Sequence, residues 1–215
     1  MDLTDDLVLV PDHLIVWGDV DRTAADLGGR LGLEPVDGGV HPGDGTRNAL
    51  FAMDEDRFLE VLGPDPGQPG WVWDPADGYV DGTLWWWVAR STVPLEAVRL
   101  RLGELGVATG EVTVGDRIRP SGERLEWETV DPDPTVYGEV LPFVIRWADG
   151  PPVHGHRRRC VLRRLVLTHP DAGPLDAVVA GLGLGAEVEV EEAGTTPRIV
   201  ASLEGPAGVL ELATP

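Results

Sequence analysis

His13 and Glu60 are the first candidates for chemistry in this chain. His13 lies in an apolar run that ends at Trp17, and Glu60 lies between Leu59 and Val61. We expect both to lie on β-strands that folding brings together. An imidazole and a carboxylate in one cleft can transfer protons or bind a divalent metal ion. These two residues are therefore predicted to form the catalytic centre.

A loop rich in glycine and proline lies between them and carries further polar candidates. His41 begins the segment HPGDGTRN, which ends with Arg47 and Asn48. Arg47 and Asn48 could orient a carboxylate or carbonyl group of a substrate, because a guanidinium and an amide form directed hydrogen bonds. His41 and the loop could present donors to the same ligand, or the loop could simply reverse the chain. Asn48, the single asparagine of the chain, could likewise be a turn residue.

The run Trp85-Trp86-Trp87 provides candidates for an apolar wall. Alternation along a strand places Trp85 and Trp87 on one face and Trp86 on the other. We expect Trp85 and Trp87 to line a ligand pocket, with Trp127 or Trp147 contributing, because aromatic rings offer large apolar faces. The alternative is that these rings belong to the hydrophobic core.

An internal repeat predicts the elements that position these residues. Comparison of the sequence with itself at a fixed offset aligns its first part with its last part without a gap. The matches include Leu14 with Leu165, Leu31-Gly32-Leu33 with Leu182-Gly183-Leu184, Arg47 with Arg198, and Leu59-Glu60 with Leu210-Glu211. Each copy reads as a strand, a helix that ends at Leu-Gly-Leu, and three strands, the last carrying the glutamate. The sequence therefore predicts βαβββ units over 11–64 (unit 1) and 160–215 (unit 3).

Residues 83–149 are predicted to be a third, diverged copy (unit 2). This copy has Trp87 at the position of His13, and no carboxylate aligns securely with Glu60. Its elements and the connectors on either side of them follow from apolar spacing and from glycine and proline. They are a strand over 84–89, a helix over 94–105, strands over 111–114, 124–129 and 143–147, and connectors over 63–82 and 130–141.

Composition excludes several classes of protein. The chain has 215 residues, 42% of them hydrophobic, so a folded globular protein is expected. Its formal net charge of −20 argues against nucleic acid and anionic membranes as partners, because both would repel it. The single cysteine, Cys160, excludes an internal disulfide, and no apolar stretch is long enough to span a membrane. A soluble, cytoplasmic protein is predicted.

Repeated βαβββ units with histidine on a first strand and glutamate on a last strand resemble the vicinal-oxygen-chelate superfamily of glyoxalases, extradiol dioxygenases and antibiotic-binding resistance proteins. More narrowly, the chain is similar to bacterial glyoxalase-like domain proteins in the segments DHL, HPGDGTRNAL, RFLEVLGP, RIRPSGERLEW, LPFVIRW and GVLELATP. The resemblance implies an α+β fold in which units pair into curved mixed sheets with helices on the outer faces. Unit 3 is expected to pair with unit 1, and the remaining unit could mediate a homodimer.

The resemblance also implies a metal site. In that superfamily the first and last strands of two paired units supply the ligands of a divalent metal ion. The ligands carried over to this chain are His13, Glu60 and Glu211, while Arg164 occupies the fourth position. Two carboxylates and an imidazole suit zinc, iron, manganese or nickel. Arg164 would instead place a cation there and pair with Glu211, so a site without metal is the alternative.

Three hypotheses about function follow. The first is a glyoxalase-like enzyme of the lyase or isomerase type, acting on a small carbonyl- or enol-bearing substrate by proton transfer or metal polarisation. The second is a metal-free module that binds or sequesters an aromatic or cationic small molecule in an acidic cleft lined by tryptophan. The third is a structural or partner-binding duplicate of the fold.

Overall fold

Three βαβββ units follow one another along the chain, which confirms the α+β fold class. The computed structural model describes residues 7–70, 80–153 and 155–215, so part of the predicted connector 63–82 lies outside the described residues. The elements are β1 (Val10–Trp17), α1 (Val20–Leu31), β2 (Val36–His41), β3 (Thr46–Ala52) and β4 (Phe58–Pro64) in unit 1; β5 (Thr83–Arg90), α2 (Leu95–Glu104), β6 (Thr113–Ile118), β7 (Arg124–Val130), α3 (Pro134–Tyr137) and β8 (Phe143–Trp147) in unit 2; and β9 (Val161–His169), α4 (Ala172–Gly181), β10 (Glu189–Glu192), β11 (Arg198–Gly205) and β12 (Gly208–Ala213) in unit 3. No helix among these described residues is long and apolar enough to cross a membrane.

Units 1 and 2 close into one barrel with the strand order β1-β4-β3-β2-β6-β7-β8-β5. In each unit the first strand pairs in parallel with the fourth, β1 with β4 and β5 with β8. The two first strands, β1 and β5, pair with each other in antiparallel fashion. An eight-stranded barrel of this kind encloses enough space for one small ligand.

Unit 3 forms a separate four-stranded sheet with the order β10-β9-β11-β12. The prediction that unit 3 pairs with unit 1 is wrong, because both edges of unit 1, β1 and β2, pair with strands of unit 2. The strand order of unit 3 also differs from that of unit 1. Strand β9 pairs with β10 and β11, whereas β1 pairs with its own fourth strand. The repeat therefore predicts the order of elements along the chain and not their pairing.

The largest hydrophobic core lies outside the barrel, between its strands, the helices and unit 3. Leu14 and Val16 of β1 contribute to this core, together with Leu27 of α1 and Leu165 of β9. Residues of β1 that alternate with Leu14 and Val16 point into the barrel instead. The same alternation in the other barrel strands separates an outer, packed face from an inner face that can line a cavity.

Unit 3 docks against the C-terminal end of α1. This helix begins after Asp19, whose side chain accepts a hydrogen bond from the Arg22 amide, and ends at Gly32 in the left-handed conformation. The turn between β11 and β12 covers this end, where the Ala207 amide donates to the Leu31 carbonyl at 3.1 Å. A Cβ atom on Gly205 would lie 2.3 Å from the Leu31 oxygen. The contact therefore needs a residue without a side chain.

Substitution of Gly205 by alanine is expected to lower the free energy of unfolding by about 1–3 kcal/mol, since the backbone of α1 or of the turn must move to admit a methyl group. Urea titration checks this. Gly194→Ala is the matched control, because a Cβ there meets no atom within 4 Å. Equal free energies of unfolding of the two variants would contradict a close contact between the β11–β12 turn and the C-terminal end of α1.

Candidate active site

A cavity of about 370 Å³ occupies the interior of the barrel. A volume of this order suits a small organic molecule. Unit 1 supplies most of its polar side chains, and unit 2 supplies most of its aromatic ones. The polar set from unit 1 is His13, His41, Asp44, Thr46, Asn48 and Glu60, and the aromatic set from unit 2 is Trp85, Trp86, Trp127, Phe143 and Trp147.

A β-bulge in β1 brings Asp12 to the site. The pairing of β1 with β5 shifts register between Pro11 and His13, so Asp12 is the extra residue. Neighbouring residues on a regular strand point to opposite faces, but a bulge re-aims one of them. As a result, the Asp12 carboxylate oxygen Oδ2 lies 2.8 Å from Nδ1 of His13.

A second bulge, in β5, decides which tryptophans line the cavity. Ile15 pairs with Trp86 and the next residue of β1 pairs with Leu84, which leaves Trp85 as the extra residue. Trp85 and Trp86 consequently both face the cavity. The expectation that Trp87 lines the pocket is wrong, because the bulge interrupts the alternation. Trp87 is fully buried in the outer core, where its indole Nε1 donates to the Val140 carbonyl at 2.8 Å.

His13 and Glu60 meet inside the cavity. Nε2 of His13 lies 3.5 Å from Oε2 of Glu60, and both side chains are buried. Phe58 stacks on the imidazole with a centroid separation of 4.3 Å and an interplanar angle of 13°. A carboxylate only accepts hydrogen bonds, so the Asp12 contact places a proton on Nδ1 of His13. Nε2 of His13 therefore faces Oε2 of Glu60, and a proton can pass between these two atoms during a reaction.

Unit 2 holds the Asp12 carboxylate in place. Arg90 donates to Oδ1 of Asp12 at 2.9 Å, and the Trp147 indole donates to Oδ2 at 3.2 Å. Asp12 is 0% exposed, so its charge depends on these partners. His13 of unit 1 is thus oriented by the Asp12 carboxylate, and two residues of unit 2 hold that carboxylate in position.

Asn48 connects Glu60 to a cationic residue of unit 2. Its Nδ2 donates to Oε1 of Glu60 at 2.6 Å, while its Oδ1 accepts from the Gly39 amide at 3.0 Å and from Arg117 at 2.9 Å. The two donors on Oδ1 set the orientation of the amide, so Nδ2 must face Glu60. Asn48 lies within β3, and the alternative interpretation as a turn residue is therefore wrong.

His41 lies at the end of β2, where its Nδ1 is 2.9 Å from Oγ1 of Thr46. Burial lowers the pKa of His41 below its ordinary value of 6.5, although the charge of Glu60 acts in the opposite direction. The nearby Arg117 lowers this pKa further. His41 therefore contributes a neutral imidazole to the cavity near neutral pH.

The buried His41 makes stability depend on pH in a defined direction. Its folded-state pKa lies below the unfolded value of 6.5, so the unfolded chain takes up a proton first as the pH falls. The stabilisation present above pH 6.5 is expected to decline as the pH falls below 6.5 towards the folded-state pKa. Between about pH 7.5 and 5, the free energy of unfolding measured with urea should fall less in His41→Gln than in the wild type. The partly exposed His156 is the control, and an unchanged pH slope in His41→Gln would contradict the assignment.

The cavity reaches the surface between β2 and β6. Within the described residues, backbone pairing of these two strands consists of Val40 with Ile118. Beyond this pair, Asp44 on one side and Val114 on the other line the cavity. Val114 is 77% exposed, so this part of the lining is open to solvent. A ligand can therefore approach the polar wall from this side.

Comparison with known proteins identifies the family. The sequence model of the glyoxalase-like domain matches residues 12–183. This chain belongs to the glyoxalase-like domain family. The match begins at Asp12, covers the barrel and ends after α4, so β10, β11 and β12 lie beyond it.

One solved structure shares the fold of this glyoxalase-like domain protein, and two others are similar to part of it. A hypothetical protein from Staphylococcus aureus matches with a TM-score of 0.61 and 13% identity, over 96% of this chain and 86% of its own. Methylmalonyl-CoA epimerase from Mycobacterium tuberculosis matches with a TM-score of 0.43 and 19% identity, over 63% of this chain and 86% of its own. Methylmalonyl-CoA epimerase from Streptomyces coelicolor matches with a TM-score of 0.44 and 17% identity, over 68% of this chain and 99% of its own. No curated protein matches the sequence.

The predicted metal ligands of the glyoxalase-like domain protein do not converge. Glu211 lies exposed on β12 of the separate sheet, whereas His13 and Glu60 lie in the barrel. Arg164 pairs with Glu189 at 2.7 Å rather than with Glu211. In the described ranges, no group of three or more His, Cys, Asp and Glu side chains is arranged to hold a metal ion. The ligand set His13, Glu60 and Glu211 is therefore wrong.

Arg47 is also absent from the cavity lining. Its guanidinium donates to both carboxylate oxygens of Asp21 on α1, at 3.0 and 2.7 Å. Arg47 alternates along β3 with Thr46 and Asn48, which face the interior, so it points outward. The expectation that Arg47 binds substrate is wrong, and its contact with α1 is structural.

Three charged residues of the hydrogen-bonded network around His13 and Asn48 are missing from the sequence-based predictions: Asp12, Arg90 and Arg117. Asp12 directly precedes His13 and is a charged residue within an otherwise apolar strand, which is a usable signal. Arg90 is the last residue of β5, the strand that carries Trp85-Trp86-Trp87, and Arg117 lies in the segment RIRPSGERLEW. Because these two residues belong to unit 2, their proximity to Asp12 and Asn48 depends on barrel closure.

Proposed function

We propose that this protein is an enzyme that moves a proton at a carbon atom adjacent to a carbonyl group of a small organic substrate. The observation that carries the proposal is the chain of contacts from Asp12 through His13 to Glu60 and Asn48, beside a cavity of substrate size. A buried carboxylate with fixed hydrogen-bond donors is suited to act as a general base.

Glu60 is the proposed base. Its carboxylate takes the proton from carbon, the C–H bond breaks, and the electron pair moves to the carbonyl oxygen as an enolate. Return of the proton to another face or another atom of the enolate gives an isomer, so the reaction needs no oxidant or reductant. Each carboxylate oxygen has two lone pairs, so the contacts to His13 and Asn48 leave capacity for this proton.

His13 and Arg117 support the charges that develop. His13 lies between Asp12, at 2.8 Å from its Nδ1, and Glu60, at 3.5 Å from its Nε2, so its imidazole can take over the proton that Glu60 removes. Arg117 lines the same cavity and provides a cation close to Asn48. A cation held in a fixed position stabilises a developing enolate oxygen.

Exchange of hydrogen for deuterium tests this proposal. The protein is incubated in D2O with a panel of small ketones, 2-oxo acids and aldehydes, and the hydrogens next to the carbonyl group are followed by proton NMR. Catalysed exchange of at least one class, reduced in Glu60→Gln, is the expected result. Exchange no faster than in the absence of protein for every member would contradict proton transfer at such carbons.

A second candidate is binding without catalysis. The aromatic wall favours it, because Trp127 and Trp147 form a T-shaped pair at 5.3 Å in the cavity lining, which offers an apolar surface to a ring. In that case the ligand would be sequestered in the cavity. Binding of panel members, measured by calorimetry, without exchange of their hydrogens would favour this candidate over the enzyme.

A further inference from the structure

We infer that the substrate of this cavity is an uncharged, planar aromatic carbonyl compound. The carbonyl group rests on the proposed function, whereas the ring and the absence of charge rest on the cavity walls. The ring and the absence of charge can therefore be tested by binding, and the role of the carbonyl group by proton exchange.

The wall formed by unit 2 is built to contact a flat ring. Trp127 packs against Trp147, and Trp86 packs against Phe143 at 5.1 Å with an interplanar angle of 69°. Gly115 lies opposite Trp127 on the neighbouring strand, and a Cβ there would lie 2.5 Å from the Trp127 indole nitrogen. The indole therefore lies directly on the Gly115 backbone. Rings held by one another and by backbone form a preorganised apolar surface.

The wall formed by unit 1 carries the groups that act on a carbonyl. Glu60, His13 and Asn48 lie on β4, β1 and β3, which are adjacent in the barrel. Both walls line one cavity of about 370 Å³. A ligand that fills it must place an apolar part against the tryptophans and a polar part near Glu60. An aromatic ring joined to a carbonyl group has this division.

The charges around the cavity disfavour a charged ligand. Acidic side chains in the lining are Glu60, Asp44 and Asp131, and the arginine among the lining residues is Arg117. An anion would be repelled by the three carboxylates and by the net charge of −20. A cation would be attracted by these carboxylates, but next to Glu60 it would also lie near Arg117 and would lose its hydration against the apolar wall. An uncharged ligand avoids both costs.

A series of indane derivatives tests the inference by isothermal titration calorimetry. The probes are 2-indanone, which is uncharged, 2-aminoindane, a cation at pH 7.5, and indane-2-carboxylate, an anion. Cyclopentanone serves as the ketone without an aromatic ring. We expect 2-indanone to bind at least about tenfold more tightly than each of the others. Equal or tighter binding of the amine, the carboxylate or cyclopentanone would overturn the inference.

Variants on β7 locate the contact. Trp127→Leu is expected to weaken 2-indanone binding about tenfold, because the loss of a ring contact and its buried area is of this order. Glu128→Gln is the matched control, since Glu128 is the next residue on β7 and pairs with Arg146 rather than lining the cavity. Equal affinities of the two variants would contradict the assignment of the aromatic wall.

The two proposals fail in different ways. If 2-indanone binds with the expected preference but neither its hydrogens nor those of any member of the carbonyl panel exchange, proton transfer is wrong and the ligand class stands. If cyclopentanone exchanges its hydrogens with the same kcat/KM as 2-indanone, the ligand class is wrong and proton transfer stands.

Discussion

Substitution of Glu60 by glutamine is expected to lower kcat for proton exchange by about 10²–10⁴-fold. Glutamine has the same shape and can still accept the hydrogen bond from Nδ2 of Asn48. It cannot take a proton from carbon, because an amide is not a base near neutral pH. The loss should therefore fall on kcat, while the affinity for the ketone changes little.

Two measurements accompany this prediction. Circular dichroism and urea unfolding should show that Glu60→Gln remains folded, and Glu128→Gln provides a control in which a carboxylate outside the cavity lining is removed. If Glu60→Gln kept kcat within about threefold of the wild type, another group would be the base. Asp131, whose pKa burial raises, would then be the next candidate in the cavity.

Substitution of Asp12 by asparagine is expected to reduce kcat by about 10²–10⁴-fold and stability by about 3–5 kcal/mol. Asparagine replaces one carboxylate oxygen by NH2. If the NH2 faces Arg90, two donors meet in a buried site, and the charge of Arg90 loses its partner. If it faces His13, the ring proton is forced onto Nε2, which can then no longer accept a proton from Glu60.

The pH profile separates the structural effect of Asp12→Asn from the chemical one. Loss of stability alone would lower the amount of folded protein without changing the pH dependence of kcat. A change in the protonation of His13 should shift that dependence, because the acid–base partner of Glu60 is altered. An unshifted profile with normal kcat at low temperature, where the variant is folded, would restrict Asp12 to a structural role.

The sequence predicts the elements better than it predicts their assembly. The fold class and the order of elements follow from apolar spacing, glycine stops and the internal repeat. Strand pairing does not follow, because βαβββ describes both the barrel units and the different strand order of unit 3. The wrong prediction for Glu211 has this cause. Matching positions of two repeats are equivalent in space only if the strands of both repeats pair in the same order.

Alternation along a strand predicts the correct face only where no bulge interrupts the strand. Glu60 and Asn48 lie on strands β4 and β3, which pair without a register shift, and alternation places both in the interior. Trp87 lies on a strand with a bulge, where alternation predicts the wrong face. Bulges depend on how two strands twist against each other, and no local pattern near Asp12 or Trp85 announces them.

The barrel of two related halves has a consequence for how this protein could acquire its specificity. If two copies of one chain formed such a barrel, every substitution would occur twice around the cavity. Here both halves belong to one chain, so each change occurs once. Arg117 can face Asn48 without a second arginine on the opposite side, and the histidines among the described lining residues, His13 and His41, come from one half alone. Fusion thus allows the halves to diverge, one towards chemistry and the other towards recognition.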